Sequence, residues 1–296
     1  MALPSTIFIA GPTGSGKSSV AVELARIIDA EIVSADAYQV YREMPILTAT
    51  PSWAERGGIP HHMLGILSVS ENWDATAHYH RATDIIADIH RRGKTAIITG
   101  GSGLYLKFLS HGISEAPPGN AELRASFASR SIESLYAELQ QLDPDGAAMT
   151  SPSNRRYVER NLEIVIVGGK PLSYWKNNWQ QSPAGPGWVI TRDVAELDAR
   201  IARRASQMFE DGVVDEVRTL PSCSVTAERT LGLSLIRDYI RTEISLLDCR
   251  DKLALITRQY AKRQRTWQKR ESWLTPLTAT QSTTPQLLAS QICASL

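Results

Sequence analysis

The sequence contains, near its beginning, one stretch whose residue types and spacing are suited to binding phosphate. It reads Gly11-Pro12-Thr13-Gly14-Ser15-Gly16-Lys17-Ser18 and matches the pattern GxxxxGK[ST] at every fixed position. In this pattern the glycines let backbone N–H groups close around phosphate oxygens, Lys17 supplies a positive charge, and Ser18 can ligate Mg²⁺. We interpret Gly11 to Ser18 as a P-loop that binds a diphosphate or a nucleotide, with Ser18 as the metal ligand.

A carboxylate is expected beside this loop. Residues 31 to 35 are short and apolar, as a second parallel strand would be, and Asp36 follows them directly. Ligands of open α/β sheets bind at the carboxyl ends of the strands, so Asp36 is placed to act as a general base or as a ligand of Mg²⁺. The sequence therefore predicts a reactive centre that combines a P-loop with an aspartate.

The third predicted strand, residues 95 to 99, is followed by Gly100-Gly101-Ser102-Gly103. P-loop enzymes that hydrolyse ATP or GTP usually carry an acidic residue at that strand end, which holds Mg²⁺ during the hydrolytic cycle. Threonine and glycine stand there in this chain. The pattern disfavours hydrolysis of the motor type.

The elements around these residues predict an α/β protein, with a P-loop NTPase-like parallel sheet core and an inserted all-helical domain. An apolar strand, residues 7 to 10, precedes the loop, and Val20, Leu24 and either Ile27 or Ile28 follow it at helical spacing. Residues 51 to 75 are predicted to form a loop. After the break at Pro117-Pro118-Gly119, residues 120 to 180 lack the alternation of strands, and two predicted helices there carry apolar residues on one face, Ile132, Leu135, Leu139 and Leu142 on the first and Val158, Leu162 and Val165 on the second. A further strand is predicted over residues 188 to 190, and a long amphipathic helix from residue 194 to about residue 212. We predict a catalytic core over 1–119 and 181–296 and a helical insert over 120–180.

Two groups of basic residues stand out. Arg155, Arg156 and Arg160 lie on the polar side of a predicted helix, where a solvated face is the simpler interpretation for these three residues alone. Residues 250 to 270 hold eight Lys and Arg residues and a single acid. In that stretch Leu253, Ile256, Tyr260 and Trp267 are predicted to face inward, whereas a second face is cationic and suits a polyanion. The cationic face consists of Arg258, Lys262, Arg265 and Lys269.

Composition excludes several other classes of protein. The net charge is only +1 over 296 residues, so any surface for nucleic acid must be local. The three cysteines lack a CxxC pattern, and a disulfide framework or a zinc site is not expected. The adjacent His61 and His62 favour a structural or phosphate-neighbouring role over a shared metal. No leader and no long apolar run is visible, which predicts a cytoplasmic protein without membrane association.

Several motifs together resemble bacterial tRNA dimethylallyltransferases, the tRNA isopentenyltransferases, and the likeness covers nearly the whole chain. The P-loop alone is shared by many families, whereas the tyrosine-rich loop after Asp36 and the basic helix near residue 260 are far more specific. The motifs are Gly11 to Ser18, Asp36-Ala37-Tyr38-Gln39-Val40-Tyr41-Arg42, Pro60-His61-His62, Gly100-Gly101-Ser102-Gly103-Leu104-Tyr105 and Thr257-Arg258-Gln259-Tyr260-Ala261-Lys262-Arg263-Gln264-Arg265-Thr266-Trp267.

The resemblance implies transfer of a dimethylallyl group from dimethylallyl diphosphate to N6 of the adenosine 3′ of the tRNA anticodon. It implies Mg²⁺ as cofactor, tRNA as partner, a monomeric enzyme, and an insert that grips the anticodon stem-loop. Asp36, Ser18 and Arg204 would be catalytic, and the residues from Gly11 to Ser18 would bind the diphosphate. The residues implied to contact tRNA are Asp36, Ala37, Tyr38, Gln39, Ser102, Arg124, Arg156, Arg160, Arg229 and Gly232.

The chain also departs from the family pattern, and other functions stay open. Ala37 replaces a serine, residues 45 to 50 replace Asp-Ile-Gly-Thr-Ala-Lys, Ser102 replaces a threonine, and Leu233 replaces a tyrosine. A P-loop small-molecule kinase would leave the cationic helix and the long insert without purpose. An adenylate isopentenyltransferase would use a free nucleotide and would not need the arginines of the insert. A non-enzymatic RNA-binding switch would leave Asp36 idle.

Overall fold

The computed structural model describes residues 5–177 and 182–296, which form two compact units. Unit 1 comprises residues 1–110 and 183–296, and unit 2 comprises residues 111–182. Unit 2 begins earlier than the predicted residue 120 because Ser114 Oγ donates to Trp175 O at 3.3 Å and Pro117 O accepts from Arg160 Nη2 at 2.6 Å. The predicted second boundary, between 180 and 181, lies outside the described residues.

The core of unit 1 is one parallel sheet of six strands in the order β3-β2-β4-β1-β5-β6, which confirms the predicted α/β class. The strands are β1 (Thr6–Ala10), β2 (Ala30–Ser34), β3 (His61–His62), β4 (Thr95–Gly100), β5 (Gly187–Thr191) and β6 (Leu274–Thr278). The sequence predicted β1, β2, β4 and β5 within a residue at each end. It left residues 61–62 in a loop and drew no conclusion about the segment that holds β6.

The helices cover both faces of this sheet and make up unit 2. In chain order they are α1 (Lys17–Ile28), α2 (Trp53–Arg56), α3 (Ala75–Arg91), α4 (Gly103–His111), α5 (Ala121–Phe127), α6 (Ile132–Leu142), α7 (Pro144–Ala148), α8 (Arg155–Gly168), α9 (Leu172–Asn177), α10 (Val194–Glu210), α11 (Val213–Arg218), α12 (Leu233–Ile240), α13 (Leu246–Gln268) and α14 (Pro285–Ser295). None of the described helices is long and apolar enough to cross a membrane.

The central strands are apolar along their whole length because both faces of the sheet are covered. Alternate residues of β1 point to opposite faces, so that Ile7 and Ile9 pack with α1 and α14, whereas Phe8 packs with α3 and α4. Every residue of β1, β2 and β4 is buried. This rigid layer presents the carboxyl ends of β1, β2 and β4 at one edge, where the P-loop, Asp36 and Gly101 follow.

In unit 2 the described residues form helices around a separate small core. Leu135 and Leu139 of α6 pack against Val158 and Leu162 of α8, as the helical spacing predicts. Leu142, predicted to share the same face, is 51% exposed, because α6 ends there and the chain turns into α7. The apolar spacing therefore identified the core face but not the point where it ends.

Candidate active site

The P-loop connects β1 to α1 and adopts a conformation that only glycine takes without strain. Gly14 and Gly16 have φ angles of +82° and +92°, in the left-handed region, and Gly16 is the N-terminal cap of α1. No side chain caps that helix end. The free N–H groups and the helix dipole therefore favour an anion at this position.

Two arginines hold the loop from its carbonyl side. Arg200 Nε of α10 donates to Gly14 O at 2.7 Å, and Arg192 Nε, just after β5, donates to Ser15 O at 2.8 Å. Donors on the carbonyl side fix the orientation of the peptide groups, whose N–H groups then point away from the arginines. Neither residue had been given a role from the sequence, although Arg192 follows a strand at its carboxyl end, where site residues are expected.

Thr13 is bonded by two further elements. Arg204 Nη2 of α10 donates to Thr13 Oγ1, and Thr13 N donates to Gln264 Oε1 of α13 at 2.8 Å. Gln264 is buried, so the predicted inward face of α13 has a polar member that apolar spacing had no means of revealing. Of the side chains predicted to face inward, Leu253 is buried, whereas Ile256, Tyr260 and Trp267 are only half-buried.

Lys17, Arg204 and Asp36 interact electrostatically at this edge of the sheet. Burial lowers the pKa of Lys17 from 10.5 to about 8; the carboxylate of Asp36 opposes that shift and the guanidinium of Arg204 adds to it. Burial also lowers the pKa of Arg204, against the effect of Asp36. Two cations that lie close together beside a single carboxylate make a site with an excess of positive charge, which favours an anion.

Asp36 lies where the sequence predicts it, after β2. Its Oδ1 accepts from Tyr38 N at 2.9 Å and from Gln39 N at 3.4 Å, which fixes the carboxylate on its own loop. One oxygen therefore orients the group, and the other, Oδ2, faces no hydrogen-bond donor within residues 5–177 and 182–296.

Two adjoining cavities open at the P-loop. The first, of about 920 Å³, is lined by Lys17, Ser18 and Arg204 together with Arg200 and Arg203. The second, of about 100 Å³, is also lined by Lys17, Ser18 and Arg204, and in addition by Asp36 and the apolar Leu47, Met208, Leu231 and Leu253. The predicted catalytic residues Asp36, Ser18 and Arg204 thus meet at one cavity.

The glycine turn after β4 packs closely against α13. A Cβ on Gly103 would stand 2.5 Å from Cδ2 of Trp267, so a larger residue has no room there. Ser102 Oγ lies 3.3 Å from Tyr260 OH, and burial raises the pKa of Tyr260 to about 12. Ser102 therefore lies next to an uncharged tyrosine that also lines the Asp36 cavity.

The remaining predicted tRNA contacts of unit 1 are spread around this cavity. Tyr38 and Gln39 line it, Ala37 is half-buried beside them, and Arg229 is exposed. Gly232 has a φ of +91° and caps α12, and a Cβ there would meet Leu253 Cδ1 at 2.5 Å. A glycine is thus required at 232 by both conformation and space.

The cationic face of α13 meets no acidic side chain in the part of the chain that the structure describes. Among the described residues no ion pair involves Arg258, Lys262, Arg265 or Lys269, and Lys262 and Lys269 are exposed. Since most other arginines of the chain donate to a carboxylate or a carbonyl, this face carries charge that the protein itself does not neutralise.

The arginines of unit 2 are mostly committed to unit 2 itself. Arg124 donates to the fully buried Glu163 at 2.8 Å, and Arg160 donates to the same carboxylate at 2.5 Å. Arg155 donates to Phe127 O at 2.7 Å. Arg156 differs, because it is exposed and no described residue bonds to it. Only one member of the predicted arginine cluster therefore lies fully open.

The adjacent histidines bond to groups close to the edge strand of the sheet, and His61 also lines a small cavity with Lys17 and Ser18. His62 Nε2 lies 2.8 Å from Glu31 Oε2, and Glu31 is also bonded by Arg92. His61 Nδ1 lies 2.8 Å from Ile59 O. The prediction of a structural role is supported by these contacts, and in the described residues no cluster of three His, Cys, Asp or Glu side chains is arranged to hold a metal.

Comparison with known proteins places these features in one family. The sequence model described as IPP transferase matches residues 39–271. The chain is 66% identical to a tRNA dimethylallyltransferase of Akkermansia muciniphila, over 97% of this chain and 98% of that protein. It is 40% identical to tRNA dimethylallyltransferase 1 of Citrifermentans bemidjiense, over 90% and 91%.

Solved structures agree with the sequences. A tRNA delta(2)-isopentenylpyrophosphate transferase of Staphylococcus epidermidis superposes with a TM-score of 0.72 at 30% identity, covering 99% of this chain and 98% of that chain. A eukaryotic dimethylallyltransferase acting on tRNA superposes with a TM-score of 0.83 at 28% identity, covering 98% and 78%. Because the IPP transferase model matches residues 39–271 and the two relatives compared by sequence are 66% and 40% identical over 97% and 90% of the chain, the chain belongs to the IPP transferase family.

Proposed function

We propose that this chain transfers a dimethylallyl group from dimethylallyl diphosphate to the exocyclic N6 amine of the adenosine 3′ of the anticodon in tRNA. The observation that carries the proposal is that Lys17 and Arg204 share one cavity with Asp36 and with apolar side chains. A diphosphate needs the cations, a prenyl group needs the apolar lining, and an amine nucleophile needs the base. The enzyme acts in this proposal as a cytoplasmic monomer.

The reaction breaks the C1–O bond of the donor and forms a C1–N6 bond. The electron pair of the broken bond leaves with the pyrophosphate, whose charge is stabilised by the N–H groups of the P-loop and by Lys17 and Arg204. The N6 amine loses one proton, which Asp36 Oδ2 accepts. No water needs activation, which agrees with the missing acidic residue after β4.

The residues present fit a Mg²⁺ ion that is completed by its substrate. Ser18 follows the P-loop lysine, lines both cavities, and its Oγ has no hydrogen-bond partner among the described residues. Mg²⁺ in such sites is held by one or two protein oxygens together with phosphate oxygens and water. When bound, Mg²⁺ supplies charge stabilisation of the diphosphate, with Ser18 as its protein ligand.

For the acceptor, the adenine must leave the anticodon loop stack to reach Asp36, which favours a single-stranded loop as substrate. The unneutralised face of α13 supplies positive charge for the RNA backbone. We assign contacts with this RNA to the residues that the family pattern indicates in unit 1 and unit 2. They are Asp36, Ala37, Tyr38, Gln39, Ser102, Arg124, Arg156, Arg160, Arg229 and Gly232.

The test is an incubation with radiolabelled dimethylallyl diphosphate and Mg²⁺, offered either an anticodon stem-loop RNA or AMP. We expect label in the stem-loop only, at the adenosine after the anticodon, as mass spectrometry of the nucleosides would show. Label in AMP at an equal rate would favour an adenylate isopentenyltransferase. Release of phosphate from ATP onto a small molecule, without prenyl transfer, would favour a kinase.

The base is tested in the same assay with Asp36→Asn. We expect kcat to fall by roughly 10²-fold or more, as loss of a general base does, while binding of the stem-loop is retained. Asp84→Asn is the matched control, since Asp84 is an exposed carboxylate of α3 without a recorded partner. Normal turnover by Asp36→Asn would remove Asp36 from the mechanism.

A further inference from the structure

Residues 44 to 50 form a compact turn that separates the two cavities at the P-loop. Pro45 and Ile46 line the larger cavity, Leu47 and Thr48 line the smaller one, and Ala49 lines both. Residues 45 to 50 of this turn are also one of the places where the chain departs from its family pattern. The turn is therefore a shared wall between the space beside the cations and the space beside Asp36.

Hydrogen bonds within the turn pair only some of its backbone N–H groups. Its internal bonds run from Thr48 N to Met44 O at 3.1 Å, from Ala49 N to Ile46 O at 3.0 Å and from Thr50 N to Pro45 O at 2.9 Å. The N–H groups of Ile46 and Leu47 are left pointing out of the turn. Without an acceptor they would carry the cost of unpaired polar groups in a partly buried place.

Glu216 of α11 accepts both of these N–H groups. Its Oε2 lies 2.8 Å from Ile46 N and its Oε1 lies 2.9 Å from Leu47 N. Two charge-assisted bonds to one carboxylate fix both the position and the orientation of the turn. Asp215, the preceding residue, is exposed instead and pairs with Arg218.

A second side chain holds the other end of the wall. Gln39 Nε2 donates to Ala49 O at 3.1 Å, and Ser34 Oγ at the end of β2 donates to Gln39 Oε1 at 2.9 Å. Ala49 has a φ of +51°, a conformation that an alanine adopts only when its surroundings impose it. The wall is thus tied at one end to α11 and at the other to the sheet.

The side chain that this wall directs into the Asp36 cavity is Leu47. It is 5% exposed, and a Cβ on Gly232 would lie 3.4 Å from Leu47 Cδ1 and 2.5 Å from Leu253 Cδ1. Leu47 therefore closes the apolar end of the small cavity against α12 and α13. A shift of the turn would move Leu47 and enlarge that end.

We propose that Glu216 is a positioning residue that sets the length of the prenyl chain accepted by the enzyme, through its hold on Ile46 and Leu47. The proposal rests on the proposed function, since it concerns the donor of that reaction. Glu216 touches neither donor nor acceptor and acts through the wall. With the wall in place the cavity takes a five-carbon chain, and with the wall released it admits a ten-carbon chain.

The test compares kcat/KM for dimethylallyl diphosphate and geranyl diphosphate, with the stem-loop RNA as acceptor. In Glu216→Gln an NH₂ group replaces one of the two oxygens that accept from Ile46 N and Leu47 N. We expect the preference for dimethylallyl diphosphate over geranyl diphosphate to fall about tenfold or more. Leu47→Ala should shift the preference in the same direction. Asp215→Asn, the matched control, should discriminate as the parent does.

Further measurements separate positioning from general damage. The affinity of Glu216→Gln for pyrophosphate should stay within about twofold of the parent's, since other residues hold the P-loop. Hydrogen exchange should become faster in residues 44–50 and not throughout unit 1. If Glu216→Gln does not fold, Glu216→Asp, which keeps both oxygens at shorter reach, is expected to show the loss of preference. Unchanged discrimination in a folded Glu216 variant would overturn the inference, whereas a parent enzyme inactive on both donors would overturn the proposed function instead.

Discussion

Two groups of arginines and lysines look alike in the sequence and differ in the structure. On α8 and α5 of unit 2, Arg160 and Arg124 converge on Glu163, whose side chain is fully buried. On α13 of unit 1, Lys262 and Lys269 are exposed and meet no acid among the described residues. The first group stabilises its own unit, and the second leaves its charge for something outside the protein.

The difference shows that a cluster of cations carries unneutralised charge only when no buried acid lies within reach. Arg124 and Arg160 can reach RNA with their exposed parts, but Glu163 offsets part of their charge. Glu163 sits three residues after Arg160 on α8, and its role is set by Asn120 N, which donates to Oε1 at 2.6 Å, as much as by the arginines. Around α13 the single acid of residues 250–270, Asp251, forms no recorded pair. The predictions below test this contrast in order of expected size.

The largest effect is expected when the acid of unit 2 is removed. Glu163→Gln leaves Arg124 and Arg160 without their anion, and breaking a buried pair costs about 3–5 kcal/mol, here near the lower end because both arginines are partly exposed. Hydrogen exchange of α8 and thermal unfolding would measure the loss. The control Glu159→Gln, which breaks the more exposed pair with Arg155, should cost less than about 1 kcal/mol.

Acid should reproduce this loss in the parent protein. Burial alone would raise the pKa of Glu163, but the hydrogen bonds from Arg124, Arg160 and Asn120 N hold it below its usual value of 4.5. Stability from a carboxylate with a lowered pKa is present above the unfolded value and is lost as pH falls below it. Unit 2 should therefore loosen below about pH 4.5, and Glu163→Gln should flatten that dependence.

On α13 the expected effect is on RNA binding and not on stability. The double variant Lys262→Ala with Lys269→Ala should weaken stem-loop binding about tenfold at low salt and reduce the salt slope by about 1.5, since each lost phosphate contact accounts for about 0.7–0.9. The melting temperature should hardly change. Lys94→Ala, which removes a lysine paired with Asp29, is the control and should leave the slope as it is. An unchanged slope in the double variant would end the assignment of this face to RNA.

The buried lysine of the P-loop should make binding of the diphosphate depend on pH. Because burial lowers the pKa of Lys17 to about 8, its charge is lost as pH rises through that value, and pyrophosphate affinity should fall about tenfold between pH 7 and pH 9. Lys17→Arg keeps its charge over this range and should remove the dependence. Stem-loop binding in the absence of donor should show no step near pH 8, and titration calorimetry with each ligand measures both.

The smallest effect is expected for Arg156, the open arginine of unit 2. Arg156→Ala should reduce the salt slope of stem-loop binding by about one contact and change stability by less than about 0.5 kcal/mol. Arg155→Ala should instead lower stability and leave the salt slope unchanged, because Arg155 donates to Phe127 O and Arg130 O. If Arg155→Ala weakened RNA binding more than Arg156→Ala did, the contrast between committed and open arginines would be wrong.

The strands and helices that the sequence predicted correctly are those whose pattern is local. The P-loop, the apolar β1 and β4, and the long helices α10 and α13 are each set by residues within one element. By contrast, β3 is a two-residue strand recognised only through its pairing of His61 with Ile32, and β6 pairs with β5 across more than eighty residues. The strands β1 and β4 also pair across a long stretch of chain, but both are continuously apolar, whereas only Leu274 is buried in β6, so β6 has no apolar run that would reveal it.

The site was predicted to a similar extent. The placement of Asp36, Lys17 and Ser18 at one cavity could be predicted, because each follows a strand or lies in a motif. The placement of Gln264, Arg192 and Glu216 could not, because each bonds a backbone group of a distant segment. From the sequence alone, a glutamine on a mostly charged helix is expected to face solvent. Only the structure shows that Gln264 accepts from Thr13 N.

The packing of α14 on α1 has a consequence for how the chain folds. The apolar face of the P-loop helix, including Val20 and Leu24, is covered by Leu288 and Ile292, and β1 gains its neighbour β5 only after all of unit 2. During synthesis unit 2, with its local contacts, can fold first, while the sheet waits for distant strands, a slow step for a parallel sheet. The P-loop is thus synthesised early, but the sheet and helices that surround it are complete only when the C-terminal residues have been made. Until α14 is made, the apolar face of α1 stays exposed, and we expect chaperones to bind it.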